Sequence, residues 1–210
     1  MGLRNMGNTC YMNSAVQCLS NMALLRQYFL TMRFRDEINM DNPLGSKGDV
    51  VARFGELLYS LWGKTKTTGG YSYSYYSNAY EPTPFKKAIG KANQMFKGTN
   101  QQDSMEFINW MLDQLHEDLN RVKNKKYIEM PDLAGNDKQV SNTFWEAHLT
   151  RNQSIIVDLM QGQFKSTVTC PTCNFKKVTF DPFTSVQLPI PTITKVNYFF
   201  VCPNPETEIF

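Results

Sequence analysis

The stretch GLRNMGNTCYMN, residues 2–13, places a single cysteine between a turn-forming segment and a helix. The glycine and asparagines before the cysteine are typical of a tight turn. From Met12 onward, apolar residues recur with the spacing of one helical face. Asn8 or Thr9 is the expected helix N-cap, which puts Cys10 in the first helical turn. Free N–H groups and the positive end of the helix dipole favour a thiolate there, so the stretch predicts a reactive cysteine.

The neighbours of Cys10 decide between a reactive thiol and the more ordinary buried core cysteine. Asn5 carries an amide that can donate to a developing oxyanion, and Asn13 and Gln17 add amides close to the same helix start. As a whole, residues 2–13 resemble the cysteine box of the ubiquitin-specific proteases, a papain-like family that cleaves ubiquitin from its conjugates. The resemblance implies that Cys10 is the nucleophile and that Asn5 lines the oxyanion hole.

A second motif, NQQDSMEF, occupies residues 100–107. Asp103 followed three residues later by Glu106 is a capping-box-like start for a long amphipathic helix, predicted over 104–121. Capping alone would explain both acids. The motif also resembles the family's second motif, which implies that Asp103 and Glu106 bind the arginine-rich C-terminal tail of ubiquitin through charge-assisted pairs. Capping and tail binding are compatible.

Composition narrows the classes of function. The 210 residues are 41% hydrophobic and carry a formal net charge of +3. Such a small charge, from scattered residues, predicts no nucleic-acid partner. With no long apolar run and no secretory signal pattern, we expect no membrane association. Five cysteines with one CxxC pair are typical of reduced thiols, so we expect a cytoplasmic and/or nuclear protein.

Periodicity predicts a helical first part and a strand-rich last part, with the change near Gly162. The polar linker 131–142 and the tyrosine-rich loop 63–84 interrupt the helices; the loop is interpreted as an insertion between helices rather than a contact surface. Predicted helices cover residues 10–20, 23–30, 50–62, 85–96, 104–121 and a stretch from Ser141 or Asn142 to Leu149. Predicted strands cover residues 163–169, 177–180 and 184–188.

The sequence CPTC, residues 170–173, lies between the first two predicted strands. A CxxC on a turn between strands is how a zinc ribbon supplies half of its thiolates, here Cys170 and Cys173. A redox dithiol would need a helix after the motif, and two free structural cysteines are the remaining alternative. The segment resembles the zinc-ribbon fingers of the same proteases, and the sequence is most similar to the branch with accompanying ubiquitin-like domains.

That resemblance implies an α+β, papain-like cysteine peptidase fold. Residues 1–160 would be a helical thumb with the cysteine box, and residues 161–210 the first strands of the fingers, incomplete and without the palm that carries the catalytic histidine. A structural zinc would have only a half-site here. The isolated Cys202 lies at a distance that does not suit a compact zinc knuckle, and it has no CxxC partner.

Only two histidines are present. His116 is expected on the polar, solvated side of the long helix, and His148 resembles a family histidine away from the active site. The expected function is a thiol-dependent deubiquitinase that hydrolyses isopeptide bonds at the ubiquitin C-terminus, with this chain carrying the nucleophile half. Its partners would be ubiquitin, ubiquitinated proteins and the remaining half of the catalytic domain. The alternatives are a catalytically inactive ubiquitin-binding fragment or scaffold and, third, a stand-alone zinc module.

Overall fold

The computed structural model describes residues 1–63, 79–126, 128 and 136–189. Most of the tyrosine-rich loop, much of the predicted linker and Cys202 therefore lie outside the described residues. Eight α-helices are seen in that part of the chain: α1 Cys10–Asn21, α2 Ala23–Leu30, α3 Phe34–Glu37, α4 Asp49–Trp62, α5 Thr83–Ala92, α6 Ser104–Asp118, α7 Asp137–Leu149 and α8 Ile155–Met160. The strands are β1 Gly2–Leu3, β2 Ala79–Tyr80, β3 Gly162–Thr169 and β4 Lys176–Phe183, and a short 3-10 turn covers Gln94–Phe96.

The first six helices pack around one hydrophobic core. The apolar positions predicted for the first helix and for α4 are buried, which confirms the helical spacing. Five phenylalanines with almost no exposed surface fill the centre and contact one another or neighbouring aromatic rings: Phe29, Phe54, Phe85, Phe96 and Phe107. This core holds the beginnings of α1 and α6 side by side.

Helix α6 differs from its prediction in length and in its buried face. It ends at Asp118 instead of 121, because Asn120 leaves the helix and holds the segment that leads to α8: its Nδ2 donates to the Arg151 carbonyl at 3.0 Å. That segment covers one side of α6. The prediction that His116 is solvated is therefore wrong, since only 6% of it is exposed. Its Nδ1 lies 2.8 Å from Ser154 Oγ.

Other boundaries were also missed. Helix α7 begins at Asp137 because the Asn136 side chain accepts from the Lys138 N–H, so the end of the predicted linker is helical. Residues 184–188 form no strand, and in the described part of the chain no neighbouring strand pairs with them. The short α3 and the parallel pairing of β1 with β2 were not predicted.

Strands β3 and β4 form an antiparallel hairpin in register from Gly162↔Phe183 to Thr169↔Lys176. The hairpin packs on α7 through Phe144 and Phe180. The last helix ends at Met160 and the hairpin begins at Gly162, so the change from helix to strand falls at the predicted place. The mixed helix and strand architecture confirms the α+β class. Among the described residues, no helix is long and apolar enough to cross a membrane.

Candidate active site

The turn before α1 is built around the side chain of Asn5. Its Oδ1 accepts hydrogen bonds from the Gly7 N–H at 3.1 Å, the Thr9 N–H at 3.0 Å and the Thr9 hydroxyl at 3.1 Å. Gly7 and Asn8 both take left-handed backbone conformations, with φ of +91° and +52°. Glycine and asparagine are the residues that tolerate this region best. The local sequence thus dictates a sharp turn that ends at Cys10.

Helix α1 starts without a side-chain cap. Thr9 occupies the N-cap position as predicted, but its side chain makes no capping hydrogen bond to the helix. The hydroxyl instead donates to Asn5 and accepts from the Met6 N–H at 3.0 Å. Cys10 is exposed rather than buried, at the positive end of the helix dipole. The core-cysteine alternative for Cys10 is therefore excluded.

The turn uses the oxygen of the Asn5 amide rather than its nitrogen. Because two backbone N–H groups require the oxygen of this amide as their acceptor, the orientation of the amide is fixed. Within the part of the chain that the structure describes, Nδ2 has no hydrogen-bond partner, and Asn5 is exposed. The turn that presents Cys10 thus also presents a free hydrogen-bond donor, as an oxyanion site requires.

The two other amides near the helix start are used elsewhere. The Nδ2 of Asn13 donates to the Arg4 carbonyl at 3.2 Å, and the Nε2 of Gln17 donates to the Met1 carbonyl at 3.2 Å. Both therefore hold the N-terminal segment against α1. The structure does not add them to the donors beside Cys10.

The second motif forms the start of α6. Asp103 is the N-cap, and its Oδ1 accepts from the N–H groups of Met105 at 2.7 Å and Glu106 at 2.9 Å. Among the described residues, neither the second carboxylate oxygen of Asp103 nor the carboxylate of Glu106 has a hydrogen-bond or ion-pair partner, and both side chains are exposed. The predicted cap is confirmed, and two acidic groups remain open to solvent.

Two contacts bring the motifs together. The hydroxyls of Ser14 and Ser104 lie 3.4 Å apart and join the second turn of α1 to the first turn of α6. The Nδ2 of Asn8 donates to the Thr99 carbonyl at 2.9 Å, which ties the cysteine turn to the segment before Asp103. The thiol and the acidic pair are therefore at adjoining helix ends.

Both histidines lie far from this place. His116 is twelve residues beyond Ser104 on α6, about 18 Å along the helix axis. His148 shares a polar network with it: its Nε2 lies 2.8 Å from Gln161 Oε1, and Asn152 lies between the two imidazole rings. Burial lowers the pKa of His116, which keeps the ring neutral. The structure brings neither ring to the thiol.

The two cysteines of the CxxC pair lie at the tip of the β3–β4 hairpin. The Cys170 N–H donates to the Phe175 carbonyl at 2.8 Å, and Asn174 takes a left-handed conformation with φ of +58°. Backbone N–H groups of Cys173 and Thr172, together with the Cys173 side chain, lower the pKa of the Cys170 thiol. The element that follows the motif is strand β4 rather than a helix, which disfavours a redox dithiol. No cluster of three or more candidate metal ligands occurs in the described residues.

One residue near the site carried no sequence signal. Lys86 on α5 is half-buried, and its ammonium group contacts the backbone between α5 and α6 and the hydroxyl of Tyr11. In the sequence it is one of two adjacent lysines in an amphipathic helix, and no pattern separates it from Lys87.

Known proteins with similar sequences identify the family of this chain. A family model described as ubiquitin carboxyl-terminal hydrolase matches residues 1–189. The chain belongs to this family. It is 48% identical to ubiquitin carboxyl-terminal hydrolase 15 of Xenopus tropicalis over 191 residues, which cover 90% of this chain and 18% of that protein. It is 46% identical to ubiquitin carboxyl-terminal hydrolase 12 of Saccharomyces cerevisiae over 201 residues, which cover 92% of this chain and 16% of that protein. The chain thus spans less than a fifth of the length of these curated relatives.

Solved structures show the same fold. A SAGA DUB module of Ubp8, Sgf11, Sus1 and Sgf73 bound to monoubiquitin matches with a TM-score of 0.57 at 20% identity, covering 87% of this chain and 34% of that one. A second structure of the module, bound to ubiquitin aldehyde, matches with a TM-score of 0.56 at 24% identity, covering 87% of this chain and 33% of the other. The predicted membership of the ubiquitin-specific proteases and the α+β, papain-like fold are confirmed.

Proposed function

We propose that the protein containing this chain is a thiol-dependent deubiquitinase that hydrolyses isopeptide bonds at the ubiquitin C-terminus. The observation that carries the proposal is the exposed Cys10 at an uncapped helix start, next to the free amide of Asn5, in a chain of the ubiquitin carboxyl-terminal hydrolase family. Solved relatives of the same fold that are bound to monoubiquitin and to ubiquitin aldehyde support ubiquitin as the partner.

In the proposed reaction, the Cys10 sulfur attacks the carbonyl carbon of the terminal glycine of ubiquitin. A base takes the thiol proton, and the carbonyl oxygen becomes an oxyanion that Asn5 Nδ2 and the uncapped N–H groups of the first turn of α1 stabilise. The C–N bond then breaks as the same group protonates the leaving lysine amine. Water hydrolyses the resulting thioester and returns the thiol.

Asp103 and Glu106 bind the ubiquitin tail in this proposal. Asp103 uses one oxygen as the helix cap and keeps the other for a guanidinium, and Glu106 stands one turn further along the same helix. Carboxylate–guanidinium pairs suit a basic, extended peptide that must reach the thiol. The contact between Ser14 and Ser104 supports the short path from these acids to Cys10.

The proton acceptor is proposed to be a histidine supplied from outside this chain. The chain has two histidines, and both are engaged in the network around Asn152, away from α1. This chain would then carry the nucleophile half of the enzyme. An inactive ubiquitin-binding scaffold is the second candidate, because the same observation leaves Cys10 without a base of its own.

We further propose that residues 1–160 form a helical thumb and residues 161–210 the first part of the fingers, with Cys170 and Cys173 as two of the four ligands of a structural zinc. The position of both cysteines on the turn that joins β3 and β4 supports paired thiolate ligands there. Zinc would cross-link the hairpin tip to a second pair of ligands outside the described residues. The cytoplasmic and/or nuclear location stays a prediction.

Covalent labelling tests the nucleophile. The full-length protein is incubated with ubiquitin that carries a C-terminal electrophile, and the adduct is measured by mass spectrometry. Wild type is expected to form one adduct, and Cys10→Ser is expected to form none. Cys18→Ser is the matched control because Cys18 is exposed on the same helix, away from its start. An adduct in Cys10→Ser would contradict the assignment of the nucleophile.

Turnover separates the enzyme from the scaffold. Release of aminomethylcoumarin from the ubiquitin C-terminus is measured for this chain alone and for the full-length protein. The proposal predicts turnover by the full-length protein and none by this chain alone. Binding of ubiquitin by both forms without turnover would favour the scaffold. Equal turnover by both forms would place the base within this chain.

A further inference from the structure

The ammonium group of Lys86 joins three parts of the molecule. Its Nζ donates to the Phe96 carbonyl, to the Gly98 carbonyl at 3.0 Å and to the Tyr11 hydroxyl at 3.2 Å. A lysine ammonium has three N–H donors, and the structure provides one acceptor for each. The side chain is therefore bound in one place although it is only half-buried.

Two of the three acceptors, the Tyr11 hydroxyl and the Gly98 carbonyl, belong to residues that adjoin the candidate active site. Tyr11 follows Cys10 directly, and its ring packs edge-on against Phe107, with centroids 5.4 Å apart. Gly98 precedes Thr99, whose carbonyl accepts the Asn8 side chain at 2.9 Å. The Thr99 side chain also lies against Gly7: a Cβ placed on Gly7 would be 3.7 Å from Thr99 Cγ2.

We propose that Lys86 is a positioning residue for the reaction at Cys10. By fixing the 96–99 segment on one side and Tyr11 on the other, it keeps the Gly7–Asn8 turn in the left-handed conformation that presents the thiol and the Asn5 amide. This inference rests on the proposed function. Lys86 acts through Tyr11, Thr99 and Asn8, and it touches neither the thiol nor the substrate.

The other lysines of α5 show that this arrangement is particular to Lys86. Lys87 is exposed and has no hydrogen-bond or ion-pair partner among the described residues. Lys91 is 81% exposed and pairs at 3.6 Å with Asp49 on the outer surface. Burial lowers the pKa of Lys86, in agreement with a partly desolvated ammonium group. The cost of that desolvation is offset by the three hydrogen bonds of the ammonium group.

Kinetics of variants in the full-length protein test the inference. Lys86→Met keeps the aliphatic stem and removes all three donors, and Lys87→Met is the matched control. We expect Lys86→Met to lower kcat on a ubiquitin-amide substrate about 10- to 100-fold with a smaller change in KM, because the reacting groups are misplaced. Lys86→Arg should recover part of kcat, since a guanidinium can donate to the two carbonyls.

Hydrogen exchange gives a reading that does not need activity. In Lys86→Met, exchange of the hydrogen-bonded N–H groups of Gly7 and Thr9 is expected to be at least about tenfold faster than in wild type and in Lys87→Met. Unchanged exchange would overturn the inference even if the protein had no ubiquitin-directed activity. An active wild type with equal kcat in Lys86→Met and Lys87→Met would also overturn it, and would leave the proposed function intact.

A second variant covers the case in which Lys86→Met does not fold. Asn8→Gly keeps a residue that tolerates positive φ and removes the hydrogen bond to Thr99, so it breaks the same connection at its other end. A fall in kcat is expected, and its effect should be non-additive with that of Lys86→Arg. Unaltered kcat in Asn8→Gly would contradict the proposed connection.

Discussion

The starts of α1 and α6 lie side by side but differ in how their first N–H groups are capped. At α6, Asp103 caps two N–H groups with one carboxylate oxygen. At α1, the Thr9 hydroxyl is turned back into the preceding loop, and the first turn around Cys10 has no side-chain cap. One helix start is therefore closed by a side chain, whereas the N–H groups and the positive dipole end of its neighbour stay open to an incoming negative charge.

The largest effect should come from removing the donor beside the open start. Asn5→Ala is expected to lower kcat about 10²- to 10³-fold, as for other oxyanion donors, and also to destabilise the turn that its Oδ1 organises. Steady-state turnover of a ubiquitin-amide substrate and the free energy of unfolding are measured in parallel.

A second substitution separates these two roles of Asn5. Asn5→Asp keeps an oxygen acceptor for the N–H groups of Gly7 and Thr9 and replaces the donating NH₂ by an acceptor. We expect the same loss of kcat with a smaller loss of stability than in Asn5→Ala. If Asn5→Asp retained wild-type turnover, the amide would serve only the turn.

At the closed start, the charge and the cap of Asp103 can be separated. Asparagine caps helices about as well as aspartate, so Asp103→Asn should change the free energy of unfolding little, whereas Asp103→Ala should cost about 0.5–2 kcal/mol. Both should raise KM for ubiquitin substrates about tenfold, because each removes the charge-assisted hydrogen bond that is proposed between Asp103 and the ubiquitin tail. A wild-type KM in Asp103→Asn would confine this residue to capping.

The start of α8 is another capped helix start for comparison, and no catalytic role is proposed for it. The Ser154 hydroxyl accepts from the N–H groups of Ile156 and Val157 and also contacts His116. Ser154→Ala should cost about 1–2 kcal/mol in the free energy of unfolding, measured by denaturant titration, and leave kcat unchanged. A fall in kcat of a fully folded Ser154→Ala variant would show that the start of α8 is coupled to the active site.

The smallest effect is a pH dependence at the end of α6. Burial lowers the pKa of His116 despite the Asn152 hydrogen bond and the nearby Glu117 and Asp113. A histidine in the unfolded chain titrates near 6.5. As the pH is lowered through that value, the unfolded chain therefore binds more protons than the folded protein, and the free energy of unfolding decreases. One such proton contributes a slope of at most about 1.4 kcal/mol per pH unit.

The slope, rather than the absolute stability, is the measurement. The free energy of unfolding is compared between pH 7 and pH 5.5 for wild type and His116→Gln, and the variant is expected to show a shallower decline. Glu117 titrates in more acidic solution because the hydrogen bonds from Lys125 and Asn42 outweigh its burial and lower its pKa. Parallel slopes in both proteins would contradict the account of His116.

The sequence predicted those parts of the fold that depend on local patterns. Helix α4 was found because its buried positions recur with one helical period, and the hairpin because β-branched residues alternate around a turn motif. In the site, the place of Cys10 at a helix start and the cap by Asp103 followed from short-range rules.

What was missed depends on distant segments. His116 is buried because residues 152–154 cover its face of α6. The spacing of apolar residues in the sequence had indicated that this face is exposed. The pairing of β1 with β2 joins residues separated by more than seventy positions. Lys86 acquires its role only because the 96–98 carbonyls and Tyr11 converge on it. The periodicity of a short stretch of sequence cannot predict contacts between segments that are distant in the chain.

The burial pattern at the start of α1 has one further consequence. Cys10 is exposed, yet Tyr11 and Met12 immediately after it are 3% and 0% exposed. No hinge therefore separates the sulfur atom from the interior. Warming should leave the thiol aligned until the helical bundle itself melts, so heat inactivation and global unfolding should share one midpoint temperature.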